Sequence, residues 1–218
     1  MKLVGTFRNR RRGFTLVEII GVVALIAVLA AVLAPRVTSV IGRGKVNSTA
    51  QGIAGLKTAT MDYIAAKSAL PVRNGTAATD KAETDGRFDA DLVSGGYIER
   101  LFTCAIGSQV SDSSALTGRI HVRSLPANKA KTVKKPTAEV GGDSFNLDGD
   151  NTTADFTAGQ MVVSVFLPQV TLSDAIALNK LIDGVVNVGA TVDTEGRCIY
   201  SKADAENKVT VYVYVAHY

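Results

Sequence analysis

The chain has 218 residues, which is enough for one or two domains and a sizeable hydrophobic core. Its formal net charge is +4, but five of its 24 basic residues lie within the first 12 positions; without those five, 19 basic residues stand against 20 acidic ones. The overall charge therefore gives no indication of a nucleic-acid-binding surface.

The first predicted element is a basic leader followed by an apolar segment. Five cations and no acids precede Phe14, and every residue from Ile19 to Ala34 is uncharged. At a rise of about 1.5 Å per residue, a helix over residues 14–34 would span the roughly 30 Å hydrocarbon core of a bilayer. The leader cations favour a cytoplasmic N-terminus, so the residues after Pro35 would be exported.

Glu18 is the one acid within this apolar segment. Placing an ionised carboxylate in hydrocarbon costs on the order of 2.5 kcal/mol or more. An acid retained there is therefore expected to have a function and to pair with a partner group. Cleavage after Gly13 would supply that partner, because the new α-amino group of Phe14 would lie about one helical turn from Glu18, in the same copy or in a neighbouring one.

The string from Arg12 to Glu18 (RGFTLVE), followed by an apolar helix, resembles the class III signal of type IV pilins and type II secretion pseudopilins. In that family the prepilin peptidase cuts after the glycine and methylates the new N-terminal phenylalanine, and the processed helices pack in the core of a filament. The resemblance implies cleavage after Gly13, N-methylation of Phe14 and an assembly role for Glu18. It implies as partners the peptidase, other copies and related pilins, and the inner-membrane assembly machinery.

Two alternatives to this interpretation stay open. A conventional secretory signal has an apolar region of about 7 to 15 residues that ends at small residues, and Ala30, Ala31 and Ala34 offer such a site. An uncleaved anchor would make the chain a membrane-tethered extracytoplasmic binding domain. That anchor would leave Glu18 unexplained.

The helix is predicted to continue beyond the apolar segment. Pro35 is expected to kink it and, with the glycines that follow, to let residues 35–44 melt during filament assembly. Apolar positions then recur every three or four residues as far as about Lys67, which predicts an amphipathic helix of roughly fifty residues in total, ended by Leu70-Pro71. These positions are Val37, Val40, Ile41, Ile53, Leu56, Thr60, Tyr63 and Ile64.

The remaining residues predict short helices and a small sheet. In the last strand, alternation predicts that the valines face the core and the tyrosines face the other way. The predicted elements are polar loops at 72–86, 107–116 and 126–142; a short helix and a Gly95-Gly96 turn within 88–102; strands at 119–125, 160–167 (ended by Pro168) and 209–216; a helix at 174–182 capped by Ser173 and stopped by Gly184; and a hairpin with arms 185–192 and 197–201.

Together these elements predict an α+β, pilin-like fold in which a long N-terminal helix packs on a small antiparallel sheet. The chain would comprise a cleaved leader (1–13), a transmembrane or filament-core helix (14–34), its amphipathic continuation (35–69) and an exported head (70–218). The resemblance implies a single-pass inner-membrane protein whose head lies in the periplasm or in an extracellular filament. The expected function is that of a structural subunit of a type IV pilus or a type II secretion pseudopilus.

Cys104 and Cys198 fall in the region predicted to be exported, where disulfides persist. In a chain-entropy model, a disulfide that closes a loop of this length would stabilise the fold by on the order of 4 kcal/mol. Two free thiols are the alternative.

An oxygen-rich stretch offers a calcium site at Asp148, Asp150 and Asp155, because hard cations prefer carboxylate oxygens. Some pseudopilins carry calcium in a C-terminal loop, but the spacing here is not that of an EF-hand, and a solvated acidic turn is the alternative. The lysines between 129 and 135 would likewise be a solvated loop or an anion-attracting patch.

No catalytic constellation is recognisable in the sequence. The two histidines, His121 and His217, are far apart, and no nucleophile elbow or phosphate-binding glycine loop is present. We therefore expect neither an enzyme nor, calcium apart, a cofactor, and nucleic acid is not an indicated partner.

Overall fold

The computed structural model describes residues 14–73, 87–107, 120–127, 145–148, 155–157, 159–184, 193 and 195–218. The leader, the hairpin arm 185–192 and most of the three predicted loops lie outside these residues. The chain divides into two compact units, Met1–Ile41 and Gly42–Tyr218.

Helix α1 (Leu16–Lys67) has 52 residues and includes Pro35, which confirms the single helix of roughly fifty residues. Its side chains as far as Ile41 are all exposed. In the second unit, the same helix buries one face at intervals of three and four residues, as an amphipathic helix does. The buried residues are Val46, Thr49, Ile53, Leu56, Ala59, Thr60 and Ile64.

The head contains a four-stranded antiparallel sheet with the strand order β1-β2-β4-β3. The fold is therefore α+β with a pilin-like layout. The remaining elements are α2 (Phe88–Ser94), β1 (His121–Pro126), β2 (Met161–Thr171), α3 (Leu172–Asp183), β3 (Cys198–Tyr200) and β4 (Lys208–His217).

Strand β2 is longer than predicted, because Pro168 does not end it. The last residue of β2 that pairs with β1 is Phe166, so Pro168 lies where no N–H is needed on that side. Its pairing with β4 shifts register between Leu167 and Val170, and Gln169 takes a positive φ of 57°. A proline in a bulge therefore continues the strand, contrary to the prediction.

Helix α3 begins two residues earlier than predicted. Its N-cap is Thr171, whose hydroxyl accepts a hydrogen bond from the Asp174 N–H at 3.3 Å, so the prediction of Ser173 as the cap was wrong. The predicted stop is confirmed: Gly184 takes the left-handed conformation, and its N–H donates to the Lys180 carbonyl.

The two faces of the sheet carry different cores. All four valines of β4 from Val209 to Val215 are buried and join the main cluster, which also contains the buried apolar residues of α1. Tyr212 and Tyr214 lie on the opposite face and pack, half-buried, beside a smaller cluster with Phe145 and Phe156. The alternation predicted for β4 is thus confirmed.

Gly196 is required by its surroundings, which gives a first prediction. Its φ is +87°, and a Cβ there would lie 2.6 Å from Oδ2 of Asp183. Gly196→Ala is therefore expected to destabilise the head by about 2–3 kcal/mol, as measured by urea unfolding. Gly159→Ala is the matched control: its φ is +90°, but among the described residues no atom lies within 4 Å of the added Cβ. Equal losses in the two variants would contradict a role for the Asp183 contact.

Candidate functional site

The predicted cleavage junction lies immediately before the start of α1. Gly13 is outside the described residues, whereas Phe14 is described and its side chain is 84% exposed. Helix α1 begins at Leu16. Phe14, the residue that the predicted cleavage would make the new N-terminus, therefore lies just before the helix.

Glu18 is held at the start of α1 by Thr15. The Thr15 N–H and hydroxyl both donate to Oε2 of Glu18, at 2.8 and 2.9 Å, and the Glu18 N–H lies 3.2 Å from the Thr15 hydroxyl oxygen. These reciprocal bonds are those of a capping box. The carboxylate thus has a local partner in addition to the cation that cleavage would provide.

Sequence reasoning missed this cap although a signal was present. A threonine three residues before an acid, just ahead of an apolar run, is the pattern of a capping box, and Thr15 and Glu18 have that spacing. The same pattern, Thr171 and Asp174, marks the start of α3. In both cases the threonine determines where the helix begins.

The surface of α1 from Ile19 to Ala34 is apolar and exposed. In the part of the chain that the structure describes, α1 is the one helix long and apolar enough to cross a membrane, with a mean hydropathy of 2.9 over its most apolar 18 residues. None of that window is buried within the protein. These properties are compatible with a single-pass membrane anchor.

Helix α1 continues on both sides of Pro35. The Thr38 hydroxyl donates to the carbonyl of Pro35 at 3.0 Å and approaches that of Ala34 at 3.3 Å. Such bonds satisfy a threonine hydroxyl in an apolar setting and often bend a helix. Melting of residues 35–44 during assembly stays a prediction.

The predicted disulfide between Cys104 and Cys198 is not formed in the structure. Cys198 is fully buried within the main cluster on β3. Cys104 is partly buried, and its Sγ lies 3.1 Å from the Ile106 carbonyl, in hydrogen-bonding position. The two cysteines thus lie in different surroundings: Cys198 within the apolar core and Cys104 beside a backbone carbonyl.

Burial of Cys198 and Tyr200 gives a second prediction, for alkaline pH. Desolvation, assisted by nearby carboxylates, raises the pKa of Cys198 well above its usual 9.0 and that of Tyr200 from 10.0 to about 12. Above pH 9 the unfolded chain therefore loses protons that the folded chain retains, and the free energy of unfolding falls as the pH rises toward 12.

Urea unfolding at pH 7, 9, 10 and 11 checks this expectation. In Cys198→Ala the decline above pH 9 should be shallower but not absent, because burial also raises the pKa of the Cys104 thiol, which remains. A stability that is constant up to pH 11, or identical pH profiles for the two proteins, would contradict it.

The predicted calcium ligands are only partly described. Oδ2 of Asp155 accepts the Leu147 N–H at 2.9 Å, which ties the two short described segments together. Asp150 and the lysines between 129 and 135 lie outside the described residues, so both predictions stay predictions. Within the described ranges, no group of three or more His, Cys, Asp or Glu side chains is placed to hold a metal.

The two histidines have separate structural environments. His121 is fully buried, and its Nε2 accepts a hydrogen bond from Nε of Arg123 at 3.1 Å. The Arg123 guanidinium lies over the Phe166 ring, 4.2 Å from its centroid. His217 is exposed, with its Nδ1 2.6 Å from the Tyr214 hydroxyl. The structure does not bring the two histidines into one group.

Residues 8–34 match the family model described as the prokaryotic N-terminal methylation motif. The match covers the end of the leader, the predicted junction, the Thr15–Glu18 cap and the apolar part of α1. No solved structure matches the chain.

Proposed function

We propose that the chain, whose N-terminal segment is a class III signal of the pilin and pseudopilin type, is a structural subunit of a type IV pilus or a type II secretion pseudopilus. One observation carries the proposal. Within residues 8–34, the methylation motif coincides with an exposed apolar segment of α1 whose one acid, Glu18, is hydrogen-bonded to Thr15 at the start of the helix. The proposed role is structural rather than catalytic.

The first step is release of the leader. Prepilin peptidase cuts after Gly13, which removes the leader cations and exposes the α-amino group of Phe14 for methylation. Phe14 and Glu18 are four residues apart in the sequence, which corresponds to about one helical turn between the new amine and the carboxylate. The helix dipole also favours negative charge at this end of α1.

The second step is assembly, in which Glu18 needs a cation. Thr15 supplies two hydrogen bonds to the carboxylate, and an ionised carboxylate offers about four acceptor positions, so capacity remains for an amine from the same or a neighbouring copy. Pairing compensates the charge in the apolar environment, while the exposed apolar surface of α1 packs against other helices. Inner-membrane machinery adds successive copies, with the head outside the cytoplasm.

The test is mass spectrometry of the full chain produced with and without a matching prepilin peptidase. We expect a protein that begins at methylated Phe14 only when the peptidase is present, and filaments visible by electron microscopy when the assembly machinery is added. Gly13→Leu, which places a large side chain at the cleavage position, is the control that should remain uncut.

Three outcomes would contradict the proposal in whole or in part. A chain that still begins at Met1 in the presence of the peptidase would indicate a membrane-tethered binding domain instead. A cut near Ala34 would indicate a secreted protein. A processed chain that never enters a filament would retain the processing step and overturn the structural role.

A further inference from the structure

Among the strands that the structure describes, β3 lies at one edge of the sheet, next to β4. Edge strands normally present free backbone N–H and C=O groups, to which a strand from another chain can add. In an antiparallel pair, alternate residues direct these groups toward the partner strand and away from it. The Arg197 carbonyl and the Ser201 N–H bond to β4, so Cys198 and Tyr200 direct theirs outward.

Two side chains of α3 occupy the outward groups of Cys198. The Nδ2 of Asn179 donates to the Cys198 carbonyl at 2.6 Å, and Oδ2 of Asp183 accepts the Cys198 N–H at 2.9 Å. Asn179 and Asp183 are four residues apart and therefore lie on the same face of the helix. One donor and one acceptor, a helical turn apart, thus take the places that a residue of a neighbouring strand would fill.

The outward groups next to Cys198 are bonded as well. Tyr200 exchanges both backbone hydrogen bonds with Asp193, at 2.9 and 3.1 Å, and the Gly196 N–H donates to the Asn146 carbonyl at 2.7 Å. Asn179 also donates to the Asp193 carboxylate at 3.0 Å, so one side chain supports two of these contacts.

Asp183 is itself fixed at the end of α3. Its carboxylate accepts the Arg197 N–H at 3.1 Å and forms an ion pair with Nε of Arg197 at 3.3 Å. The side chain of Asp183 is 14% exposed and Asn179 is 4% exposed, so neither group is oriented by solvent. Gly184 then ends the helix directly after Asp183.

We propose that Asn179 and Asp183 form an edge lock, a pair of helix side chains that closes β3 to strand addition by a second copy of this chain. The edge lock keeps heads from joining through their sheets wherever copies are concentrated, for example side by side in a membrane. It holds whether or not the chain forms filaments, because it concerns only contacts within the head.

The experiment compares full-length Asn179→Ala/Asp183→Ala with the wild type and with Lys180→Ala, an exposed neighbour on α3, in the same detergent. Sedimentation over a concentration series measures self-association, and hydrogen exchange measures protection of the Cys198 amide. The double variant should associate about tenfold more tightly than the wild type. Its Cys198 amide should exchange about tenfold faster when dilute and regain protection when concentrated. Lys180→Ala should match the wild type.

Circular dichroism establishes which variants fold. If the double variant does not, Asn179→Ala alone, which retains the Asp183 carboxylate, should show the same changes in smaller degree, and Asp183→Asn, which keeps an oxygen acceptor, should resemble the wild type. Folded variants whose association and exchange equal those of the wild type would overturn the proposal. So would a rapidly exchanging Cys198 amide in the wild type at any concentration, because the edge would then already be open.

Discussion

Replacing Glu18 by alanine is expected to leave the chain in the membrane and to prevent filament formation. Insertion should be at least as efficient as in the wild type, because no carboxylate then enters hydrocarbon, a saving of roughly 2.5 kcal/mol. Assembly should fail because the Phe14 amine loses its counter-charge. A charge-assisted bond of about 1.5–3 kcal/mol corresponds to about ten- to hundredfold weaker addition of each subunit.

The measurement is the yield of sheared filaments, alongside mass spectrometry to establish that Glu18→Ala is still cut after Gly13. Thr15→Val is the matched control, since it removes the hydroxyl of the cap but keeps the carboxylate. We expect that variant to assemble. An equal loss of filament yield in both variants would assign the defect to the helix cap. A normal filament yield from Glu18→Ala would refute the proposed role of the Glu18 charge.

Replacing Asp89 by alanine is expected to destabilise the head by about 3–5 kcal/mol, because it would leave a buried charge without its partner. Asp89 is fully buried and accepts two bonds from Arg87, at 3.0 and 2.5 Å, and one from the Phe102 N–H at 2.9 Å. Without Asp89, the Arg87 guanidinium would be buried with no carboxylate beside it and the Phe102 N–H would lose its acceptor.

Asp91→Ala is the control for this prediction, because Asp91 also forms an ion pair from α2, with Arg73 at 3.1 Å. The Arg73 side chain is 39% exposed, so that pair should contribute no more than about 1 kcal/mol. Urea unfolding can be followed by near-ultraviolet circular dichroism of the tyrosines, since the chain has six and no tryptophan. If Asp89→Ala and Asp91→Ala lowered the free energy of unfolding by similar amounts, burial of the Arg87–Asp89 ion pair would not explain the effect.

The parts of the fold that were predictable are those with a strong local pattern. The valines of β4 alternate over Val209–Val215 because one face of the strand is fully buried, and residues 46–64 of α1 show helical spacing for the same reason. Gly184 was recognisable as a stop because a helix end favours a residue that tolerates positive φ.

Other features depended on partners that are distant in sequence. Pro168 argues against a strand unless it is known that β1 begins at His121, opposite Phe166, and so does not pair with β2 beyond that residue. Asn179 and Asp183 look like ordinary polar residues of a helix, and only the placement of Cys198 against them reveals their role. The N-terminal methylation motif was recognisable because its signal is contiguous in the sequence, whereas a disulfide depends on a pairing in space that the sequence does not contain.

The distribution of burial along α1 has a consequence for how the protein can vary. None of the described side chains up to Ile41 is buried, and every buried side chain of α1 lies at Val46 or later. Substitutions before Gly42 therefore replace no buried side chain of α1, and substitutions at or beyond Val46 leave the apolar segment unchanged. The two halves of the helix can accordingly vary independently in sequence. The stability changes caused by a mutation in one half and a mutation in the other should be nearly additive.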